Sequence, residues 1–258
     1  MAEPALKTGG IEALAGKLRH PDDGQLWFQL VETVTKRTYL QHGVEVRPGD
    51  LVLDAGANIG VAAAFFADEC GAGTVHSFEP VPPIYELLEE NMRGFPACVP
   101  HPYGLAAKPG RAPITYYPNA AAMSGLYADP DRDREQVRTY LANTGAPDED
   151  VERTLEGLHD AVELSCELRT LSDAIAEHSI ERVDLLKIDV ERAEIDVLDG
   201  IGNPDWPRIR QVVVEVHDEG GRAARAAELL EERGFGVVTA QEPEWRGTVL
   251  KMLYATRS

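Results

Sequence analysis

The chain has 258 residues, of which 43% are hydrophobic and 27% are charged, a composition that allows a substantial globular core. Its 44 acidic and 25 basic side chains give a net charge of −19. Such a charge repels phosphate backbones and anionic lipid surfaces, so we expect neither a nucleic acid nor a membrane as partner.

Cysteine usage and the N-terminus indicate the compartment. Three cysteines, far apart in the chain, predict reduced thiols, and no spacing of cysteine and histidine suggests zinc. The N-terminal run MAEPALKTGG lacks the apolar core of a signal peptide, and no window approaches the ~18–20 apolar residues of a membrane span. We therefore expect a soluble, cytoplasmic protein. The sequence leaves its oligomeric state open, and a homo-oligomer is compatible with it.

The predicted elements begin with helices in residues 1–48, which include QLWFQLVETVTKRTYL and would cap the following domain, residues 49–258. From there, short apolar runs alternate with helical patterns. The first half reads as strand, helix, strand, helix, weak strand and strand or hairpin arm, at 51–54, 59–70, 74–78, 82–95, 97–101 and 113–117. The fifth run is weak because Pro100 cannot donate to a strand ladder.

An acidic, helix-prone stretch at 127–160, called the insertion below, interrupts this alternation and contains a break at TGAP. Two surface helices and a lid over an active site are equally good interpretations. The alternation then resumes with strand, helix, strand and helix at 183–190, 193–201, 211–217 and 222–233, and GVVTAQ and TVLKMLYAT predict a closing antiparallel pair. The pattern predicts an α/β fold with a mostly parallel sheet and helices on both faces.

The run DAGANIG (54–60) follows the first strand of this sheet, where ligands of open α/β sheets bind. Gly56 and Gly60 permit a tight turn and a close ligand approach, and helix-start N–H groups can bind a carboxylate. Asp54 suits a cationic ammonium rather than a phosphate. A dinucleotide fingerprint fails, because Asn58 and Val61 stand where GxGxxG needs glycines. The loop therefore favours a zwitterionic, sulfonium-bearing ligand, S-adenosylmethionine (SAM).

Acidic residues and one histidine fall at the same predicted sheet edge. Glu79, nineteen residues after Gly60 at the end of the second strand, could accept both ribose hydroxyls. Asp189 lies near the carboxyl end of the strand VDLLKIDV and Glu191 directly follows it, so both would face the methyl donor. His217 ends the next strand, and an imidazole with a pKa near 6.5 could take a hydroxyl proton.

Neighbouring charges invite plainer interpretations. Lys187 is interpreted as an ordinary strand-edge charge. Glu194 falls in the first turn of a predicted helix, where it either stabilises the helix dipole or has a functional role, and the two interpretations are equally good. By topology, Gly104 and Leu105 would border the adenine. Ser124 either contacts a ligand or forms a turn, and Tyr39 could close over the cofactor from the N-terminal cap.

The motifs LVLDAGANIG, SFEP, LLKIDVERAE and VVVEVHD, in this order and spacing, resemble the FkbM family of SAM-dependent methyltransferases. The likeness runs from about Tyr39 to Tyr254. TYLQHGVEVRPGD, YYPNAAAMSG and DWPRIRQVVVEVHD resemble in particular actinobacterial O-methyltransferases that tailor macrolides of the rapamycin and tacrolimus type. The resemblance implies a Rossmann-like class I methyltransferase fold with a seven-stranded sheet. It also implies Asp54, Gly56, Asn58 and Gly60 on the cofactor and Glu79 on its ribose.

The implied activity is methyl transfer from SAM to a hydroxyl of a secondary metabolite. Arg192 departs from the family pattern, in which glycine is usual, and would narrow the acceptor pocket or reach an acceptor anion. Asp189, Glu191 and His217 could alternatively bind a divalent cation. A carboxylate, an amine or a carrier-tethered acyl group as acceptor, a nicotinamide oxidoreductase, and a non-catalytic SAM-binding protein are the competing hypotheses.

Overall fold

The computed structural model describes residues 8–257, and its strands and helices are as follows. The strands are β1 (Leu51–Ala55), β2 (Thr74–Phe78), β3 (Cys98–His101), β4 (Gly104–Leu105), β5 (Gly110–Tyr116), β6 (Val162–Arg169), β7 (Leu185–Ile188), β8 (Gln211–His217), β9 (Gly236–Ala240) and β10 (Leu250–Thr256). The α-helices are α1 (Thr8–Ala15), α2 (Asp23–Leu30), α3 (Val61–Asp68), α4 (Pro82–Met92), α5 (Pro130–Asn143), α6 (Asp148–Leu155), α7 (Leu171–Glu177), α8 (Glu194–Asp199) and α9 (Arg222–Glu232).

A seven-stranded sheet forms the core, in the order β3-β2-β1-β7-β8-β10-β9. Strands β1, β2, β3, β7 and β8 pair in parallel, whereas β10 runs antiparallel to both β8 and β9. The predicted α/β fold and the predicted closing antiparallel pair are therefore confirmed. The strand order reverses beside β1, because the chain first builds outward to β3 and then returns to place β7 on the other side. Such a switch point leaves a crevice beyond the carboxyl ends of the strands.

The order of the strands explains their composition. β1 and β7 lie inside the sheet and are almost wholly buried, so they read as continuous apolar runs with single polar interruptions. β3, which contains Pro100, lies at the edge of the sheet, where a strand tolerates the missing donor. The weak strand signal there is confirmed together with its physical reason.

A second, three-stranded sheet has the order β4-β6-β5 and was not predicted as such. β5 is indeed one arm of an antiparallel pair, but its partner β6 follows only after the insertion. β6 has the sequence VELSCELR, whose interspersed charges hide a strand pattern. Both features kept this small sheet out of the sequence-based prediction.

Helices cover both faces of the central sheet, as predicted, because α1–α4 pack in one core cluster and α7–α9 pack in the other. α1 and α2 bury their apolar faces against the core, and a π-helical turn, Val31–Thr35, extends α2. The insertion forms α5 and α6, as its composition predicts, and the side chain of Asp129 accepts hydrogen bonds at the start of α5. Within residues 8–257, no helix is long and apolar enough to cross a membrane. The predicted lack of a signal peptide concerns mainly residues 1–7, which lie outside the described residues.

Candidate active site

A cavity of about 850 Å³ lies at the switch point of the sheet. Its floor comes from the segments that follow β1, β2 and β7, and its other walls come from α2, from the insertion and from the segment between β9 and β10. Its volume is at the upper end of the range for small-molecule sites, so it can hold a cofactor and part of a second ligand.

The loop after β1 owes its glycines to close packing. Gly56 has φ +77°, and a Cβ there would lie 1.7 Å from the backbone oxygen of Asp189. Gly60 has φ +94°, and its Cβ would lie 2.4 Å from the Cε of Met92. Gly56 lines the cavity, whereas Gly60 does not. The predicted tight turn is confirmed by the positive φ of both glycines, and the space of each missing Cβ is taken by protein atoms rather than left for a ligand.

Asp54 and Lys187 form a buried ion pair below this loop. They are register partners on β1 and β7, and the Lys187 Nζ lies 2.9 Å from the Asp54 Oδ1. The same ammonium donates to the backbone oxygen of Gly56 at 2.8 Å. Burial raises the pKa of Asp54, although the positive charge of Lys187 partly opposes this shift. For Lys187, burial alone would lower the pKa, but the carboxylates of Asp54 and Asp189 outweigh burial and raise it.

Two predictions are corrected by this pair. Lys187 is not a strand-edge charge, since it lies on an interior strand with its side chain 2% exposed. Asp54 does not line the cavity, because its carboxylate faces Lys187. Asp54 therefore acts on the site through the lysine and the loop that the lysine holds.

Glu79 lies at the carboxyl end of β2, where the sequence places it, and lines the cavity. Its Oε2 accepts from the backbone N–H of Asn58 at 3.0 Å and its Oε1 from that of Val81 at 2.9 Å. Burial raises the pKa of Glu79 to about 7, although these two N–H groups partly offset the effect. Each oxygen retains a lone pair for a further donor, as a ribose diol requires.

Asn58 joins this loop to the N-terminal cap. Its backbone is left-handed, with φ +50°, and its side-chain Oδ1 accepts from Gln29 Nε2 at 3.2 Å. Asn58 lines the cavity, and asparagine tolerates this conformation better than most residues. The structure thus places Asn58 beside Glu79 at the cavity wall.

Three carboxylates converge at the opposite wall. Asp189, Glu191 and Glu215 each offer an oxygen within 4.8 Å of the others. Asp189 is held by the hydroxyl of Tyr39, which donates to its Oδ2 at 2.7 Å. Burial, followed by Asp189, raises the pKa of Tyr39 well above its ordinary value, so the phenol keeps its proton.

Glu215, the third of these acids, was missed by the sequence reasoning. Burial, and then the charges of Asp189 and Glu191, raise its pKa well above the ordinary value. Among the described residues, its side chain has no hydrogen-bond or ion-pair partner. One signal could have revealed it, since Glu215 is the only acid in the apolar strand QVVVEVH.

His217 does not reach the cavity. Its side chain is 1% exposed and lies between two carboxylates, with Nε2 at 3.3 Å from Glu191 and Nδ1 at 3.2 Å from Glu194. Although burial lowers its pKa, the two acids raise it well above 6.5 overall. The predicted general base is therefore a buried imidazolium that fixes Glu191, and Glu194 is part of this arrangement.

Arg192 does not line the cavity either. Its φ of +74° is a value that favours glycine, and Glu191 before it also has positive φ. The guanidinium is buried and reaches Asp133 of α5 at 2.6 Å and Glu219 at 3.3 Å. The hydroxyl of Tyr117 completes this group by donating to Asp133. Arg192 thus anchors the insertion, and the expected contact with an acceptor is wrong.

The remaining predicted residues line the cavity. Gly104 and Leu105 form β4 at its wall, beside Pro80, as topology suggested. Ser124 accepts from the backbone N–H of Tyr117 at 3.1 Å, so it has the turn role that was considered for it, at the cavity surface.

An aromatic group that the sequence reasoning missed forms the mouth of the cavity. Phe28 of α2, Tyr140 of α5 and Trp245 of the segment before β10 pack together, with ring centroids 4.4–6.4 Å apart. They are 28, 140 and 245 residues into the chain, so no local pattern unites them. The cavity therefore has a charged end at the sheet and an aromatic end at the surface.

The strand order, with antiparallel β10 between β8 and β9, and the cavity at its switch point define a class I methyltransferase fold. A family model described as "Methyltransferase FkbM domain" matches residues 54–237. The chain belongs to this FkbM family and is a SAM-dependent methyltransferase. This membership argues against the nicotinamide oxidoreductase considered from the sequence.

The chain is also similar to individual proteins and solved structures. The chain is 42% identical over 241 residues to 31-O-demethyl-FK506 methyltransferase FkbM of Streptomyces tacrolimicus, covering 93% of each chain. It is 36% identical over 240 residues to AMB antimetabolite synthetase AmbE of Pseudomonas aeruginosa, covering 88% of this chain and 11% of that protein. The crystal structure of methyltransferase FkbM from Methylobacillus flagellatus is similar with a TM-score of 0.51 and 15% identity, covering 96% of this chain and 58% of the other. This last likeness shows the fold alone.

Proposed function

We propose that this protein transfers a methyl group from SAM to a hydroxyl of a large, mostly apolar secondary metabolite of the macrolide or polyketide type. The observation that carries the proposal is the two-ended cavity, with carboxylates and Lys187 at the sheet and Phe28, Tyr140 and Trp245 at the mouth. The relative from Streptomyces tacrolimicus, whose name specifies a 31-O-demethyl macrolide, supports the same acceptor class.

The proposed cofactor position follows the polar residues. The ribose hydroxyls donate to the free lone pairs of Glu79, and the adenine lies against Gly104 and Leu105. The amino-acid portion lies along the loop at Gly56 and Asn58. Its sulfonium then faces the acidic wall, where negative charge attracts it. Asp54 and Gly60 support this loop from behind and do not touch the cofactor in this proposal.

SAM supplies a methyl carbon that already carries a good leaving group, so the protein mainly aligns the acceptor oxygen in line with it. Such alignment can contribute ~7–11 kcal/mol, against ~3–5 kcal/mol from a general base. We assign the base to Glu215, because its carboxylate faces the cavity without a partner and has a raised pKa. His217 stabilises the charge of Glu191 beside it.

A divalent cation at the acidic wall is the second candidate role for the same residues. The oxygen donors of Asp189, Glu191 and Glu215 suit Mg²⁺ or Mn²⁺, and Glu215 takes the place that the sequence analysis gave to His217. Bound there, such an ion would lower the pKa of a coordinated acceptor hydroxyl.

The test is an assay of purified protein with labelled SAM and candidate macrolides, followed by mass spectrometry. A product that gains one methyl group, stable to mild base, supports an ether. A base-labile ester or an N-methyl product would instead identify a carboxylate or amine acceptor, and methylation only of carrier-bound acyl groups would identify a tethered one. Absence of any product with all acceptor classes would favour a non-catalytic SAM-binding protein.

Variants separate the assigned roles. Glu215→Gln should lower kcat by ~10²–10⁴-fold while the affinity for S-adenosylhomocysteine stays near that of the wild type. Unchanged kcat would remove Glu215 from the mechanism. Activity that is lost after EDTA treatment and restored by Mg²⁺ would make Glu215 a metal ligand instead. Phe28→Ala should raise KM for the acceptor and leave the cofactor affinity unchanged, with the exposed Trp27→Ala as the matched control.

A further inference from the structure

Three histidines gather where β2, β3 and the end of α7 meet, and none of them lines the cavity. His76 lies in the middle of β2, His101 ends β3, and His178 directly follows α7. His76 is 8% exposed and His101 is 6% exposed, whereas His178 is half-buried. The proposed methyl transfer uses no residue of this cluster.

The ring nitrogens of the three histidines lie close together. One nitrogen of each histidine lies within 4.8 Å of the other two, and His76 Nδ1 is 3.0 Å from His101 Nε2. The ring of His178 is centred 5.0 Å from that of His76 and 4.5 Å from that of His101. Two nitrogens that each ligate a metal at ~2.0–2.1 Å are at most ~4 Å apart, so small ring rotations complete the geometry.

The cluster also contains an unpaired polar atom. Nε2 of His178 is buried and has no hydrogen-bond partner among the described residues. Buried polar atoms in folded proteins normally have a partner, and one left without it is costly. A metal ion bound between the ring nitrogens would supply that partner.

The surrounding charges are compatible with a cation. Burial, followed by the neighbouring His178, lowers the pKa of His76 to about 4, and the same two causes lower that of His101 to about 3. Neutral imidazoles keep the lone pair that a metal needs. Arg169 is the nearby positive charge, and its guanidinium is already paired with Glu167 and Glu177.

We propose that His76, His101 and His178 form a site for one divalent transition-metal ion of the zinc type, separate from the methyl-transfer cavity. Three imidazoles suit Zn²⁺, Co²⁺, Ni²⁺ or Cu²⁺ and disfavour Mg²⁺ or Ca²⁺, which prefer oxygen. The ion ties together β2, β3 and the end of α7, and a water molecule can occupy its fourth position. Its role is to stabilise this part of the domain.

The test uses untagged, full-length protein that has been stripped with a chelator and then titrated with Zn²⁺ or Co²⁺. The wild type should bind one equivalent, show the intense visible spectrum of tetrahedral Co²⁺, and melt at a higher temperature with Zn²⁺. His178→Ala should lose the Co²⁺ spectrum and the thermal shift, while its affinity for S-adenosylhomocysteine stays unchanged. His20→Ala, which alters a histidine outside the cluster, is the matched control and should behave as the wild type.

A second variant separates this site from the acidic wall of the cavity. Glu215→Gln should keep the Co²⁺ spectrum, because the carboxylate of Glu215 is not one of the three proposed ligands. The proposal is overturned if the wild type binds no stoichiometric Zn²⁺ or Co²⁺. It is also overturned if His178→Ala keeps the Co²⁺ spectrum, or if Glu215→Gln alone abolishes it. Should His178→Ala fail to fold, His178→Gln provides the same comparison with a smaller change of volume.

Discussion

Glu79 gives the sharpest test of the proposed cofactor position, through the pH dependence of nucleoside binding. Its pKa of about 7 means that only about one carboxyl in eleven is ionised at pH 6, against about ten in eleven at pH 8. A ribose diol donates both of its hydrogens to the ionised form. Since binding then favours deprotonation, affinity rises with pH up to about 7 and levels off above it.

The expected magnitude follows from these populations. The Kd for 5′-methylthioadenosine, which carries the ribose and adenine without the amino-acid portion, should fall about tenfold between pH 6 and pH 8. In Glu79→Gln the amide offers only one acceptor, and one hydrogen bond to a charged group is lost at ~1.5–3 kcal/mol. The variant should therefore bind roughly 10–100-fold more weakly at pH 8, and its Kd should not change with pH.

Isothermal titration calorimetry measures these affinities directly. The neutral ligand isolates Glu79, because S-adenosylhomocysteine also carries an ammonium and a carboxylate, whose long-range interaction with the other acids of the cavity would add a pH dependence of its own. Removing the 2′-hydroxyl from the ligand should weaken binding to the wild type and have little effect on Glu79→Gln. Glu86→Gln, on the exposed side of α4, is the control for the substitution itself.

Either of two results would exclude a ribose site at Glu79. One is a wild-type Kd that is flat between pH 6 and pH 8 for 5′-methylthioadenosine. The other is a Glu79→Gln variant that binds this ligand as tightly as the wild type. Either result would mean that the ribose does not reach Glu79.

Three further predictions concern the framework of the site. Lys187→Met leaves the carboxylate of Asp54 buried without its partner, so the free energy of unfolding, measured by urea titration, should fall by about 3–5 kcal/mol. Adding Asp54→Asn to this variant removes the unpaired charge and should restore part of the loss. Gly56→Ala should prevent folding or lower the free energy of unfolding by well over about 2 kcal/mol. Gly145→Ala is the control, because Gly145 has a similar φ of +80° but nothing within 4 Å of the added Cβ, and it should cost only about 1–2 kcal/mol. Equal losses in the two variants would show that close packing at Gly56 does not matter. Arg192→Met removes the anchor of the insertion, so limited proteolysis there should become faster while S-adenosylhomocysteine affinity is retained; unchanged cleavage would argue against anchoring.

Much of the fold was predictable because each signal is local. The runs LVLD and VDLLKIDV are apolar because their strands are buried on both faces. The runs GVVTAQ and TVLKMLYAT are close together in the sequence, and this short connection predicts the antiparallel pair at one end of the sheet. The small sheet escaped prediction, because the partner of β5 lies beyond the insertion. Contacts of that kind have no counterpart in a short stretch of sequence.

The site divides in the same way. The sequence alone determined the family. It also placed Glu79, Asp189 and Glu191 at one edge of the sheet, because parallel strands bring their carboxyl ends together. It could not show which groups face inward and which face one another.

Only the tertiary structure decided those pairings. It buried His217 between two acids, gave Lys187 to Asp54 and turned Arg192 toward the insertion. The physical reason is that a charge's role depends on its distance to other charges and on its access to water, and both are set by segments far apart in the chain.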